Sequence, residues 1–375
     1  MKKRLLNIYR LGIKELLSLW QDKIMAVLIV YSFSAAIYIG ATATSSELHK
    51  VPVAFVDGDR SALSGRIIDA FYGPRFLTPD LIGPADVDPG MDAGIYTFIV
   101  VIPPDFEKDL LRGKRPEIQL NIDATRMTQA GIGAGYIQQM VGDEVTTFLQ
   151  GYHILSTLPV SLVTRMKFNP SLESSWFGGV MELISQVSLL SIILSGAALI
   201  REREHGTLEH LLVMPLSPAE IMLSKVWSMG LVVLVAVALS LQFVVKGALS
   251  VPIAGSEWLF LFGAFLMLFA TTSMGIFMGT AARSMPQLGL IIIITILPLQ
   301  ILSGGITPYE SMPSGLQQIM HLMPTSHFVA MSQAVLYRGA GLDVVWPQLL
   351  AIAAIGMAFF LVALAMFRRS LESAS

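Results

Sequence analysis

REREHGTLEHLLVMPLSPAEIMLSKV, residues 201–226, decides how the rest of this chain is read. It lies between two apolar runs, 176–200 and about 227–245, and is too polar to sit in lipid. Arg201 and Arg203 stand where the first run ends, which favours the cytoplasmic side. Gly206 suits a left-handed helix cap, since it has no Cβ to clash. Thr207 reads as an N-cap with Glu209 near the positive end of the next helix dipole. Leu208, Leu211 and Leu212 form a short apolar stripe at helical spacing, and Pro215 stops it. Ser217, Pro218 and Glu220 then supply an N-cap, a first-turn proline and a capping box for a further helix. The pattern predicts a short amphipathic helix on the inner membrane face, with Glu202, Glu204 and Glu209 as an exposed acidic rim. The plain alternative is a solvated connector.

Composition places this loop in a polytopic membrane protein. Of the 375 residues 54% are hydrophobic and 14% charged, against roughly 25% charged in soluble domains. The apolar residues come in blocks of about the length that crosses a bilayer as helix. Six spans are expected, at 24–41, 176–200, 226–245, 258–282, 288–302 and 345–367, the fifth short and kinked at Pro298. The net charge of −2 leaves no nucleic-acid footprint, and the absence of cysteine excludes disulfides and thiol chemistry. No phosphate-binding G-x-x-x-x-G-K-[ST] occurs, so a P-loop ATPase is not encoded here, and any active transport would draw its energy from another chain or an ion gradient. The six histidines show no metal-binding spacing, and no catalytic constellation emerges.

Residues 1–23 read as a cytoplasmic amphipathic helix in the membrane interface. Leu5, Tyr9, Ile13, Leu16 and Trp20 lie opposite Lys3, Asn7, Arg10 and Lys14. The first apolar segment, 24–44, carries a signal-like Ala41-Thr42-Ala43, but its length and patterned preamble favour retention as a span. Residues 45–175 have the composition of a soluble α/β domain, with strands expected at 51–56, 96–102, 117–122 and 160–168 and helices between them. Gly131, Gly133 and Gly135 lack a preceding strand and read as close packing or looseness, not as a cofactor loop. Spans two to six occupy 176–370, followed by a cytoplasmic tail at 371–375. Arg201, Arg203, Lys225, Arg283, Arg368, Arg369 and the N-terminal cations fall on one side, and only Lys246 and Arg338 in the short opposite loops. Both termini and the 201–225 loop are therefore expected in the cytoplasm, with 45–175 outside. Within the spans, Glu182 is a functional candidate, near Gln186. Gln242 and Gln300 read as cavity-lining or helix-joining groups, and Lys246 as a snorkelling span end.

The run from Glu202 to Pro215 resembles the E-x-E-x-G-T-x-E-x-L-L-x-x-P signature of ABC-2 type transport permeases, and the order of the remaining segments agrees over the whole chain. The resemblance implies a six-helix exporter fold with an extracytoplasmic insertion between the first and second spans. It implies that Glu202, Glu204, Gly206, Thr207, Glu209, Leu211, Leu212 and Pro215 form a coupling element docked on a separate ATP-binding subunit, which holds ATP and Mg. It further implies a second permease copy or sister permease, at times a periplasmic membrane-fusion adaptor, and a bacterial inner-membrane location. Residues 303–346 resemble the re-entrant external segment of that family. The second and fifth spans would line the path, with Glu182, Gln186, Pro298 and Gln300 as its polar and gating residues. A reading from another class is an integral-membrane scaffold or receptor whose outer domain binds an envelope ligand or partner.

Overall fold

The computed structural model describes residues 2–43, 50–73, 75–123, 127–151, 173–204, 206, 216–305, 307, 309 and 312–372. The chain divides into two compact units, 1–44 with 175–375, and 45–174. The elements in chain order begin with α1 (Lys2–Gln21), α2 (Lys23–Phe33) and α3 (Ala35–Ala43). In the second unit follow β1 (Val53–Asp57), α4 (Ala62–Asp69), β2 (Asp80–Leu81), α5 (Val87–Asp92), β3 (Phe98–Ile102), α6 (Phe106–Leu111), β4 (Gln119–Ile122) and α7 (Met127–Gly151). The chain then returns to the helical unit with α8 (Ser174–Glu204), α9 (Pro218–Ser240), α10 (Glu257–Ala281), α11 (Met285–Ile301), α12 (Ser314–His321), α13 (Pro324–Leu336) and α14 (Leu342–Glu372).

Five helical stretches among the described residues are long and apolar enough to cross a membrane: Lys23–Ala43, Ser175–Glu204, Pro218–Ala248, Glu257–Ala281 and Leu342–Ser370. The fifth expected span is α11, whose 17 residues rise about 26 Å at 1.5 Å each, short of a ~30 Å hydrocarbon core. Its Pro298 lies inside the last turn. The first stretch is interrupted at Ser34, between α2 and α3. The third ends in a π-helical turn, Leu241–Ala248, which a pattern of apolar residues does not reveal.

Small residues set how closely two of these helices meet. On α8, Ser191 donates to Thr271 Oγ1 of α10 at 2.6 Å. A Cβ on Gly275 would stand 2.0 Å from Ser195 Oγ and 2.5 Å from the Ile192 carbonyl oxygen. One on Gly279 would stand 3.0 Å from the Gly196 carbonyl. The backbones approach because Gly275 and Gly279 repeat at four residues, facing Ser195 and Gly196. In lipid such contact takes the place of the hydrophobic effect that drives association in water.

The second unit is an α/β sheet of order β2-β1-β3-β4, with β1 parallel to β2 and β3, and β4 antiparallel to β3. Both faces of β1 are covered. Val53 and Phe55 join Leu63, Ile67, Phe71 and Phe98 in one core, and Ala54 and Val56 join Ile99 in the other. This double burial is why VAFV is continuously apolar. The strands are shorter than expected, β2 is an addition, and the strand expected at 160–168 lies outside the described residues. Gly133 sits within α7 against the Phe98 ring, where a Cβ would approach to 2.1 Å. This glycine is a packing residue.

Gly275→Ala is expected to cost about 1–3 kcal/mol by overpacking the α8–α10 contact. It should lower the thermal midpoint of the purified protein in detergent. Gly289→Ala, on α11 with nothing within 4 Å of the added methyl, should leave the midpoint unchanged or raised.

Candidate functional site: the junction at residues 201–204

The N-terminal helix docks on the rest of the helical unit. Ile8, Leu11, Gly12, Glu15 and Leu19 turn inward, and Leu5, Tyr9, Leu17 and Trp20 remain largely exposed. Gly12 admits the Trp227 indole, which a Cβ would meet at 2.1 Å. The Trp227 Nε1–H donates to the Ile8 carbonyl at 3.1 Å, and Tyr9 stacks on the indole with ring centroids 6.1 Å apart. Asn7 donates to Glu220 Oε1 at 3.5 Å. Glu220 is also the carboxylate of the expected capping box, accepting from the Ser217 backbone N–H at 2.7 Å, with Pro218 in the first turn.

Beneath this contact lies a buried ion cluster. The Lys225 side chain, 1% exposed, places Nζ 3.1 Å from Glu15 Oε1 and 2.7 Å from Glu202 Oε2. Lys14 reaches Glu202 Oε1 at 3.4 Å. Burial holds the Glu15 carboxyl above its ordinary range, and neighbouring Glu202 adds to this against the Lys225 ammonium. Glu202 is 8% exposed, so it does not belong to an exposed acidic rim. The correction has a simple cause: α8 stays helical through Glu204, and the turn that carries Glu202 faces Lys225.

Every charged residue of Arg201-Glu202-Arg203-Glu204 is tied to a different part of the unit. Arg201 pairs with Asp22 at 2.9 Å, and Asp22 also caps α2 by accepting from the Met25 N–H at 3.1 Å. Arg203 Nη1 donates to the Ala282 carbonyl, at the end of α10, at 2.6 Å. Glu204 is exposed, yet its Oε1 accepts from the Met285 N–H at 3.1 Å. That amide opens α11, where an acceptor satisfies an orphan donor and complements the dipole. Gly206 follows with φ +67°, the left-handed geometry expected of it. Thr207, Glu209, Leu211, Leu212 and Pro215 lie outside the described residues.

The residues singled out inside the spans have separate partners. Glu182 is half-buried, accepts from Gln186 Nε2 at 2.7 Å and lies against Gly40 of α3, where a Cβ would come within 3.1 Å of its Cγ. Gln186 is buried. Gln300, the penultimate residue of α11, donates to the Ser185 carbonyl of α8 at 3.4 Å. The second and fifth expected spans therefore touch through Gln300. Pro298 accepts from the Leu302 N–H at 3.0 Å. Gln242 joins helices: it donates to Glu257, which also pairs with Lys246 at 2.6 Å.

The family model for ABC-2 family transporter protein matches residues 24–365, across both units. The chain belongs to the ABC-2 transporter family. It is 58% identical over 369 residues to the inner membrane transport permease YhhJ of Escherichia coli K12, covering 98% of this chain and 99% of that protein. It is 28% identical over 359 residues to the probable multidrug ABC transporter permease YbhR of the same organism, covering 95% and 96%. The probable multidrug ABC transporter permease YbhS is 27% identical over 264 residues, 66% of each chain. The resemblance carried by residues 202–215 is thus confirmed at the level of the family. Glu15 and Gly12 were not singled out by sequence reasoning, and Lys225 only as one of the cations that set the orientation. The available signal was a lysine and a carboxylate inside otherwise regular helices, with no local clue to their partners.

Lys225→Ala would leave Glu15 without its cation and Glu202 with Lys14 alone, at a cost of about 3–5 kcal/mol. Lys225→Met combined with Glu15→Gln and Glu202→Gln should recover most of it. The folded state binds the Glu15 proton more tightly than the unfolded chain does. Its stabilising contribution is therefore full below the ordinary carboxylate range and falls as pH rises through that range toward the raised folded value. Thermal midpoints measured against pH should show this fall in the wild type and lose it in Glu15→Gln.

Proposed function

We propose that this chain is the membrane-spanning subunit of an ATP-driven exporter of amphiphilic or drug-like molecules. The observation that carries the reading is the junction at 201–204. Its four charged side chains attach the start of the 201–225 loop to α1, α2, α9, α10 and α11. A coupling element needs such a base, since force applied to the loop by a partner then reaches several helices at once. In this reading Glu202, Glu204, Gly206, Thr207, Glu209, Leu211, Leu212 and Pro215 make up that element. Glu202 acts at its buried base, and the Leu stripe provides the contact with a separate ATP-binding subunit that holds ATP and Mg. The multidrug names of two relatives support a drug-like cargo.

The topology that fits has six spans, α11 being the short one, both termini in the cytoplasm and the 45–175 unit outside the inner membrane. A second permease copy or sister permease completes the path, and a periplasmic adaptor is the expected partner of the outer unit. Glu182, Gln186, Pro298 and Gln300 line or gate that path. The contact between Gln300 and Ser185 supports a paired movement of α8 and α11.

Affinity purification of the tagged chain from its native membrane should bring down an ATPase with phosphate-binding motifs, and Leu211→Asp should abolish this while insertion persists. Burial of one Leu is worth about 1.5–3 kcal/mol, more than an exposed ion pair at about 0–1. Recovery of an envelope ligand without any ATPase would favour the receptor reading. Protease added to intact spheroplasts should cut within 45–175 and spare 201–225. In reconstituted complex, Glu182→Gln and Glu182→Ala should each lower substrate-stimulated ATP hydrolysis, and full stimulation in both would remove Glu182 from the path.

A further inference from the structure

A cavity of about 350 Å³ opens between the first and third long stretches, against Ile29 and Phe33 of α2 and Val232 and Ser240 of α9. Neither wall is regular α-helix at this level. The first stretch breaks at Ser34, whose backbone (φ −129°, ψ −85°) leaves the helical region and whose hydroxyl donates to the Val30 carbonyl. The third changes from α to π winding after Ser240. Such π-turns inside α-helices recur at functional sites. Phe33 and Ser240 are buried, and Val30, Leu239 and Phe243 stand more than half exposed at the rim. Every lining side chain is uncharged, and only Ser34 and Ser240 carry a polar group. Ser240 is 2% exposed, and its Oγ has no hydrogen-bond partner among the described residues. By contrast, Ser224 and Ser228 of the same helix, and Ser191 and Ser195 of α8, each donate to a carbonyl of their own helix at 2.7 Å. A buried hydroxyl that nothing accepts from is a cost to the fold and an opportunity for a ligand. We propose that this cavity binds an uncharged lipophilic molecule with one carbonyl oxygen, a ketone or an ester, which accepts from the Ser240 hydroxyl while the rest lies against Ile29, Phe33 and Val232.

Depth selects this occupant. Ser34 lies at the middle of the 21-residue stretch Lys23–Ala43, roughly 15 Å along the axis from either end. The phosphates and glycerol esters of the bilayer's own lipids stay at the borders of its ~30 Å hydrocarbon core. Their acyl chains reach the cavity but bring nothing that accepts from Ser240. A solute dissolved in the hydrocarbon carries its polar atom to that depth. Charge argues the same way, since a cationic or anionic group would lose its water there and find no counter-ion in the wall. The volume falls in the roughly 300–1,000 Å³ range of small-molecule sites, and an apolar lining with one placed polar group is their usual make-up. No residue of α8 or α11 lines the cavity, so it is separate from the path proposed above. The inference goes beyond the transport reading and takes from it only that the helical unit sits in a bilayer.

The test uses the full-length chain in lipid nanodiscs and benzophenone, an uncharged two-ring ketone that on irradiation bonds to nearby C–H groups, with labelled peptides mapped by mass spectrometry. Saturable labelling within 29–34 and 232–244 is expected. Dicyclohexyl ketone should compete for it. Dicyclohexylmethane, with the same rings and no oxygen, should compete about fivefold less well, the effect of one neutral hydrogen bond. Ser240→Ala should weaken labelling by the same factor and erase the difference between the two competitors. Because it removes an unpaired hydroxyl, its thermal midpoint should not fall, which separates lost binding from lost folding. Ala236→Phe, which fills the cavity, should abolish the labelling. Labelling confined to other segments would overturn the proposal, as would undiminished affinity in Ser240→Ala. Equal competition by ketone and hydrocarbon would overturn it in favour of a groove for acyl chains. Labelling in nanodiscs that hold one copy but not in those that hold two would overturn it in favour of a contact between copies. Neither ATPase recovery nor protease topology enters these readouts, so this proposal and the transport reading fail separately.

Discussion

An ammonium group that water does not reach holds this helical unit together at one end. Lys225 belongs to α9, Glu15 to α1 and Glu202 to α8, and their side-chain atoms meet within 3.1 Å. Such a cluster is weak evidence for stability, because desolvating three ionisable groups offsets much of their attraction. Its physical content is specificity. Each carboxylate has its place only if the other helices are where they are, so α1 cannot slide along α9 by a turn without stranding a buried charge. Gly12 and Trp227 impose the same register by shape, since the indole fits only where the helix lacks a side chain.

A few turns away, along α8 and α10, the chemistry is the opposite. Ser191, Ser195 and Gly196 face Thr271, Gly275 and Gly279, with backbone against backbone and one hydroxyl bond between them. Close contact of small residues supplies dispersion where lipid offers no hydrophobic advantage. The unit therefore joins α1 to its bundle by charge and shape, and two of its spans to each other by proximity.

How much of this could be read beforehand follows from the range of each interaction. The capping box at Ser217 and Glu220 and the left-handed Gly206 are local, and were legible as such. The apolar blocks announced the spans, because length and composition are also local properties. On α1 the Leu, Tyr and Trp stripe was read as the side that faces the membrane interface, and Leu5, Tyr9 and Trp20 are exposed. The docked side, marked by Gly12 and Glu15, carries no local signal, since the partners that make these residues informative, Trp227 and Lys225, lie more than two hundred positions away. Glu202 and Glu209 looked alike as acids in a polar loop. Only the helical phase of α8 distinguishes the one that is described, and it turns Glu202 inward. The π-helical segment Leu241–Ala248 continues α9 without a break, so the spacing of apolar residues does not mark where the winding changes.

The bond from Glu204 to the Met285 amide has a kinematic consequence. Arg203 grips the last carbonyl region of α10 and Glu204 the first amide of α11, so the short corner between those helices is clamped at both ends by neighbouring residues of α8. Three helix ends that could each pivot alone share one joint. One turn of α8 therefore holds both sides of that corner, and α11 runs from it to Pro298 and Gln300 at its other end.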